Sequence, residues 1–247
     1  MDDTKLTVRA VERALDILIC FAESSDLSLT EIAGRVGLHK STAHRLLASL
    51  EGRGFVARDP DTEKYRLGLR LWELAAGFMQ SDDPAIVLLP EMERIRDTLG
   101  ETVSLYIRDG IERVRVQAVQ STQEVRRVAP IGARLPLKVG ASSKVLIAFA
   151  DNGVRDQILG ELEWANKAER LLFERQLDEI RRLGYATSVE EREPGAAAVS
   201  APILGRGGRL TAALALSGPS NRLTTEVMEQ VAPLLIEAAV RMGKIVK

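Results

Sequence analysis

Along the first third of the chain, apolar residues recur mostly every three or four positions, the period of a helix with one buried face. After about residue 100, stretches of two-residue alternation join them, the period of a half-buried strand. Val8, Val11, Ala14, Leu15, Leu18 and Ile19 predict a helix over 7–23, with Phe21 and Ala22 extending its apolar face toward the elements that follow. Ser24-Ser25-Asp26 is a loop. Ser28 and Glu31 have capping-box spacing, and Ile32, Ala33 and Val36 carry a short helix to a stop at Gly37. A second helix starts at Lys40 or Ser41 and runs to about Arg53, with Ala43, Leu46, Leu47 and Leu50 inward. Its first turns carry Lys40, Ser41, Thr42, His44 and Arg45, mostly on the opposite face. Gly54 closes it, and Phe55–Arg58, the turn Asp59–Thr62 and Lys64–Leu67 read as strand, turn and return strand.

Further on, Leu69 to Met79 is helical and apolar. Ser81-Asp82-Asp83-Pro84 breaks the pattern, and Asp82 or Asp83 caps a helix that runs to Leu99 with Pro90 as a kink. An apolar face on a linker helix is the mark of a partner surface, so self-association is expected. Thr102–Arg108 and Arg113–Ala118 alternate as paired strands around Asp109-Gly110, and Val125–Val128 reads as another strand. Gly132–Lys138 reads as a loop, Ala141–Ala150 as a short helix and Ala168–Leu183 as a charged helix ended by Gly184. Tyr185–Val189, Ala196–Leu204 and Leu210–Ser217 are strands, and Thr224–Ile245 is a final helix that Pro233 should bend. This predicts an α+β fold with an antiparallel sheet, divided into residues 1–70, a linker helix over 71–83 and a second domain over 84–247.

Composition changes little until charge is localised. The 247 residues carry a net charge of −1, with 45% hydrophobic and 28% charged residues, ordinary for a globular chain. Between Arg35 and Arg70, however, Arg35, Lys40, Arg45, Arg53, Arg58, Lys64, Arg66 and Arg70 face only Glu51, Asp59, Asp61 and Glu63. A basic excess on helix, turn, helix and hairpin in that order is the pattern of a winged helix that reads DNA. The second helix would enter the major groove. Arg45 can take guanine O6 and N7, while Ser41, Thr42 and His44 reach bases or phosphates and Lys40 a phosphate. His39 can cap the turn, and Arg58, Lys64 and Arg66 of the wing lie toward the backbone. The alternative for each is a solvated helix surface. One cysteine, Cys20, excludes a disulfide framework and fits a reduced, cytoplasmic setting. Met1-Asp2-Asp3-Thr4 lacks a signal-peptide core, and no run of apolar residues is long enough for a membrane span.

Several stretches together resemble the IclR family of bacterial transcription regulators. They are V-x-R-A-L-D-I-L at 11–18, L-S-L-T-E-I-A at 27–33, G-L-H-K-S-T-A-H-R-L-L at 37–47 and Y-R-L-G at 65–68. In the second half they are G-A-R-L-P-L-K-V-G-A-S-S-K-V-L-I-A-F at 132–149, G-Y-A-T-S-V-E-E-R-E-P-G at 184–195, A-V-S-A-P-I at 198–203 and S-G-P at 217–219. The resemblance implies a winged helix-turn-helix, a linker helix, a GAF-like effector-binding domain and a homodimer or dimer of dimers. It adds Thr30 to the DNA-binding set. It also implies an effector pocket beside the helix at 141–150, lined by Ala141, Ser142, Ser188, Ala198, Ala215 and Ser217, with Glu191 close by and Leu105 and Leu137 as apolar wall. The family usually has a small residue and glycine before the lysine, where this chain has Ser142-Ser143-Lys144. Some members carry polar side chains at the positions of Ala198 and Ala215.

The chemistry implied is binding. The start of the 141–150 helix offers free N–H groups and a positive dipole end that can seat a carboxylate without a nearby lysine, and Ser142 and Ser217 add hydroxyls. A small organic acid, possible in aromatic form because the alanines leave apolar room, is the expected effector of a repressor acting on a double-stranded operator. No cofactor, metal or catalytic residue is expected. Both histidines, His39 and His44, fall in the helix-turn-helix, so the second half lacks parts for common metal sites and Ser-His or Cys-His nucleophiles. Glu190-Glu191 as an acid–base pair fails because adjacent strand residues face opposite ways. An enzyme with a regulatory DNA-binding head and a ligand-free architectural DNA-binding protein are the alternatives.

Overall fold

The computed structural model describes residues 7–22, 24–78, 83–126, 128 and 130–246. They divide into two compact units, one within 1–80 and one within 81–247.

The first unit is built from local signals. Helix α1 (Arg9–Ile19) ends in a 3₁₀ turn at Cys20–Ala22. Helix α2 (Leu29–Arg35) begins with the capping box in full: Glu31 N–H donates to Ser28 Oγ at 3.3 Å and Ser28 N–H to Glu31 Oε2 at 2.8 Å. Glu31's carboxyl is held below the usual range by these bonds to Ser28. Helix α3 (Lys40–Gly52) follows after Gly37 at φ 63°, and strands β1 (Val56–Arg58) and β2 (Tyr65–Leu67) form the hairpin. Leu27 bridges to Tyr65 and extends the hairpin by one residue. Helix α4 (Leu69–Phe78) leaves the hairpin through Gly68, where a Cβ would meet the Gly54 carbonyl oxygen at 2.1 Å. Met79, at the predicted end of this helix, lies outside the described residues.

One expectation is corrected here. The stripe Val8, Val11, Leu15 and Ile19 faces solvent, with Val8 62% and Ile19 67% exposed. The core instead takes Ile17 and Phe21, which join Leu27, Ile32, Leu47, Val56 and Tyr65. The helix carries apolar residues on two sides, and among the described residues only the narrower side joins a core.

In the second unit Asp83 caps α5 (Pro84–Val87), its carboxylate accepting from Ala85 N–H at 2.9 Å; Asp82 lies outside the described residues. Helix α6 (Leu89–Leu99) starts after a break at Leu88, because Pro90 cannot donate back into the preceding turn. Strands β3 (Thr102–Asp109), β4 (Glu112–Val119), β5 (Arg134–Pro136), helices α7 (Ala141–Ala148), α8 (Asn152–Glu161) and α9 (Lys167–Leu183), strands β6 (Ala186–Val189), β7 (Ala196–Leu204) and β8 (Leu210–Pro219), and helix α10 (Thr225–Ile245) complete it. The sheet is antiparallel throughout, in the order β5-β4-β3-β8-β7-β6. One face packs on α6 and α10 through Val103, Leu105, Val199, Leu214, Leu235 and Met242. The other packs on α7, which is buried along its whole length, and behind it on α8 and α9.

The fold differs from expectation in two further places. Val125–Val128 is not a strand: Val125 and Val128 are 69% and 66% exposed, and Arg127 lies outside the described residues. The edge it would need is occupied by β5, inside the stretch expected to be a loop, with Arg113 opposite Leu135. Asn152–Glu161 is a helix without a strong apolar period. Helix α10 spans the expected stretch with Pro233 inside it, the missing N–H falling on an exposed turn.

Candidate functional site

In the first unit the buried side of α3 is Ala43 and Leu47, so Ser41, His44, Arg45 and Ser49 share the exposed side at helical spacing. His39 is the N-cap: its Nδ1 accepts from Ser41 N–H at 3.4 Å and lies 2.9 Å from Ser41 Oγ. Lys40 is exposed, Thr42 half-buried and Thr30 exposed at the start of α2. In the hairpin Arg58 pairs with Glu63 at 2.8 Å and stacks over Tyr65, its Cζ 5.8 Å from the ring centroid. Among the described residues Lys40, Arg45, Lys64 and Arg66 are exposed and take no ion pair. The unit therefore carries exposed, unpaired cations on α3 and on the hairpin, which suits a polyanion.

The second unit holds a cavity of about 50 Å³ where α7 meets the sheet, room for a few waters. Strand register explains its floor. Ser188, Ala198, Ser217 and Thr102 form one row across four strands, and Ala186, Ser200, Ala215 and Ser104 form the next on the same face. Ala141 and Ser142 bring the first turn of α7 over this floor. Seven of the nine predicted effector residues line the cavity: Ala141, Ser142, Ser188, Glu191, Ala198, Ala215 and Ser217. Leu137 is fully buried in the core beside α7, outside the lining. Leu105 is corrected outright: strand alternation puts it on the opposite face, against α6 and α10, while its neighbours Ser104 and Tyr106 face α7.

The charges at the head of α7 were only partly foreseen. Lys144, 3% exposed, pairs with the Glu191 carboxylate and donates to the Thr187 carbonyl at 3.3 Å. Glu191 also accepts from Gly140 N–H at 3.0 Å. The surroundings of the helix start differ from the expected ones. A lysine is present, and an internal carboxylate already takes the first amide, leaving those of Ala141 and Ser142 for a ligand. Glu190 and Glu191 do point apart, but because Glu190 stands in a left-handed turn at φ 54° beyond β6, where it accepts from Gly195 N–H and Ser220 Oγ.

The cavity wall includes residues that motif reading missed, above all Tyr106 and Arg113, with Arg192, Glu193 and Ala196 at the rim. Arg113 and Arg115 are 4% and 3% exposed, and both stack over the Tyr106 ring, at 5.4 and 5.0 Å. Arg115 Nε donates to Tyr106 Oη at 3.0 Å. Arginines alternating with valines in R-V-R-V were the available signal, since one strand face was bound to bury both. Among the described residues no group of three or more His, Cys, Asp or Glu could hold a metal, and no helix is long and apolar enough to cross a membrane.

Comparison with known proteins covers both units. The IclR helix-turn-helix domain profile matches residues 10–60, and the Bacterial transcriptional regulator IclR C-terminal profile matches residues 78–243. The HTH-type transcriptional regulator KdgR of Escherichia coli is 31% identical over 244 residues, covering 97% of this chain and 93% of that protein. BhcR of Paracoccus denitrificans is 32% identical over 237 residues, covering 94% and 85%. Among solved structures, an IclR homolog from Microbacterium hydrocarbonoxydans complexed with 4-hydroxybenzoate superposes with a TM-score of 0.83 at 28% identity, covering 96% of this chain and 98% of that one. With both units matched and full-length relatives above 30% identity, the chain belongs to the IclR family of DNA-binding transcriptional regulators.

Proposed function

We propose that the chain is a repressor whose affinity for a double-stranded operator is set by a small organic acid bound at the head of α7. The observation that carries this reading is the cavity itself: Ala141 and Ser142 of the first turn of α7, Ser188 and Ser217 of the sheet, and Ala198 and Ala215 line one small space. Amides at a helix start favour an anion, and the alanines favour a short apolar body. The solved relative with 4-hydroxybenzoate makes aromatic acids the first class to try. At about 50 Å³ the cavity is too small for a ring, so an aromatic ligand requires the exposed 190–195 segment to move outward.

In the first unit Arg45 reads a base, with Ser41, Thr42 and His44 beside it. Lys40, Thr30, Arg58, Lys64 and Arg66 serve the phosphates, and His39 holds the helix start. The active species is a homodimer, or a dimer of dimers, on a near-palindromic site. Its support is the outward stripe on α1 together with Leu69 and Trp72 of α4, which are 80% and 69% exposed. Residues 71–83 act as the linker to the effector domain at 84–247. The acid prefers one arrangement of the dimer and so shifts the population able to bind DNA. The proposed setting is the cytoplasm.

Mobility-shift titration on the duplex upstream of the protein's own reading frame tests the proposal, with a panel of aliphatic and aromatic acids. A specific complex weakened at least about tenfold by one acid class, a coupling of about 1.4 kcal/mol, is expected. A protein that ignores every duplex, or a complex indifferent to all acids while cations or sugars alter it, refutes it.

A further inference from the structure

We propose that Ser104 is a second reading point of this pocket: its hydroxyl takes an oxygen that the ligand carries at the end away from its acid group. The assignment deepens the effector reading above and rests on it.

Ser104 stands in β3 and is 1% exposed. Its neighbours Val103 and Leu105 point into the core shared with α6 and α10, so alternation turns Ser104 to the α7 face. Among the described residues it carries the one buried side-chain hydroxyl without a hydrogen-bond partner. Other buried serines nearby are committed: Ser200 Oγ donates to the Leu214 carbonyl at 2.7 Å and Ser143 Oγ to the Pro136 carbonyl at 3.1 Å. A hydroxyl that loses its water and gains no bond in exchange is unfavourable, and native interiors keep few such groups.

Strand register says what this hydroxyl can meet. Ala215 of β8 lies opposite Ser104, and Ala118 of β4 lies on its other side, so methyl groups flank it in both directions. Ala215 is part of the cavity wall, as is Tyr106 two residues further along β3. Opposite residues on one sheet face have Cβ atoms about 4.5–5.5 Å apart. A ligand atom lying against the Ala215 methyl therefore comes within reach of Ser104 Oγ. Ser104 stands just behind the cavity lining, so only a ligand that extends past the first row of the floor meets it.

That row sets the chemistry. The acid group belongs at the first turn of α7, over Ser188, Ala198 and Ser217, and Ser104 lies in the next row. Two residues along a strand make a step of about 7 Å. The favoured ligand is a small acid with a hydroxyl or carbonyl oxygen about 7 Å from its carboxylate; serine can pair with either, as donor or acceptor. An acid of the same length without that oxygen leaves the hydroxyl as it found it.

Calorimetric titration of the full chain with matched pairs, benzoate with 4-hydroxybenzoate and pentanoate with 5-hydroxypentanoate, isolates the second oxygen. The wild-type protein should prefer the oxygenated member about tenfold or more. Ser104→Ala should bring the two members within about threefold of each other by weakening the oxygenated one, with the plain acid bound as before. For 2-hydroxybenzoate, whose oxygen sits beside its carboxylate, the substitution should change nothing. The variant should also melt at or slightly above the wild type, because alanine removes an unpaired hydroxyl and no bond. A preference for the oxygenated acid that survives Ser104→Ala overturns the assignment, as does a wild-type protein that binds both members alike. A melt lowered by more than about 4 °C overturns it too, since the hydroxyl would then be bonded in the free protein. A wild-type protein that binds no acid of the panel overturns the effector reading itself, and the assignment with it.

Discussion

Glu191→Gln tests how the head of α7 is held together. Lys144 is a cation 3% exposed inside a fully buried helix, and Glu191 is its one carboxylate partner among the described residues. Glutamine keeps the size and an acceptor for Gly140 N–H, but it leaves the ammonium with only the Thr187 carbonyl at 3.3 Å. Removing one partner of a buried pair costs about 3–5 kcal/mol. The Glu191 side chain is 30% exposed, and water that reaches it reduces the loss to about 1.5–3 kcal/mol. For a domain of this size each kcal/mol moves Tm by about 2–4 °C, so the second unit should melt about 3–12 °C lower. Replacing both partners, as Lys144→Met with Glu191→Gln, should recover most of that loss, because an apolar side chain replaces the stranded charge. Fluorescence melts read this cleanly in a Trp72→Phe background, where the remaining tryptophan, Trp164, reports on the second unit. Its ring lies 5.3 Å from Phe173 and its Nε1 donates to the Leu159 carbonyl at 3.0 Å. A single variant melting within about 1 °C of its parent, or a double variant no better than the single, refutes the reasoning.

Arg45→Ala should cost about 1–3 kcal/mol of operator binding and relax specificity at one base pair, as footprinting would show; an unchanged footprint removes the base-reading role. Lys64→Ala should weaken binding to all sequences alike and lower the slope of log K against log salt by about one, as salt titration would show. Gly68→Ala forces a Cβ to 2.1 Å from the Gly54 carbonyl oxygen, so the first unit should lose at least about 1–3 kcal/mol, seen as lost DNA binding with the second unit's melt unchanged. The Arg94 guanidinium, and after it Arg241, hold the Glu91 carboxyl below the usual range against the opposing effect of burial. Its stabilisation is therefore present above the unfolded glutamate pKa of about 4.3 and is lost as pH falls through the lower folded value. Glu91→Gln should flatten that acid limb in denaturation curves.

The first unit was legible because its signals are local. Ser28 with Glu31, Gly37 and Gly54 each specify a cap or stop within a few residues, and the structure puts each where the spacing implied. What periodicity could not say is which apolar side of α1 has a partner: Val8, Val11, Leu15 and Ile19 repeat as regularly as any core stripe, yet the core takes Ile17 and Phe21. In the second unit the misses are failures of pairing. Val125–Val128 alternates without an edge to join, and the three residues Arg134–Pro136 form a strand only because β4 offers them one. Leu105 was avoidable, since its parity differs from that of Tyr106 and places it on the far face.

The site divides the same way. Residues in motifs, Ala141, Ser142, Ser188, Ala198, Ala215 and Ser217, gather around one cavity because the register aligns Ser188, Ala198 and Ser217 in a single row. Arg113 and Tyr106 belong to no motif, and nothing local links them to Gly140, 27 and 34 positions away in the chain. The pairing of β3 with β4, one residue out of step at the bulge between Leu105 and Tyr106, brings Tyr106 opposite Arg115 and onto the α7 face. That is why motif reading could suggest an acid from the helix start alone. The fold adds two buried cations, Lys144 paired with Glu191 and Arg113 donating to the Pro136 and Val139 carbonyls.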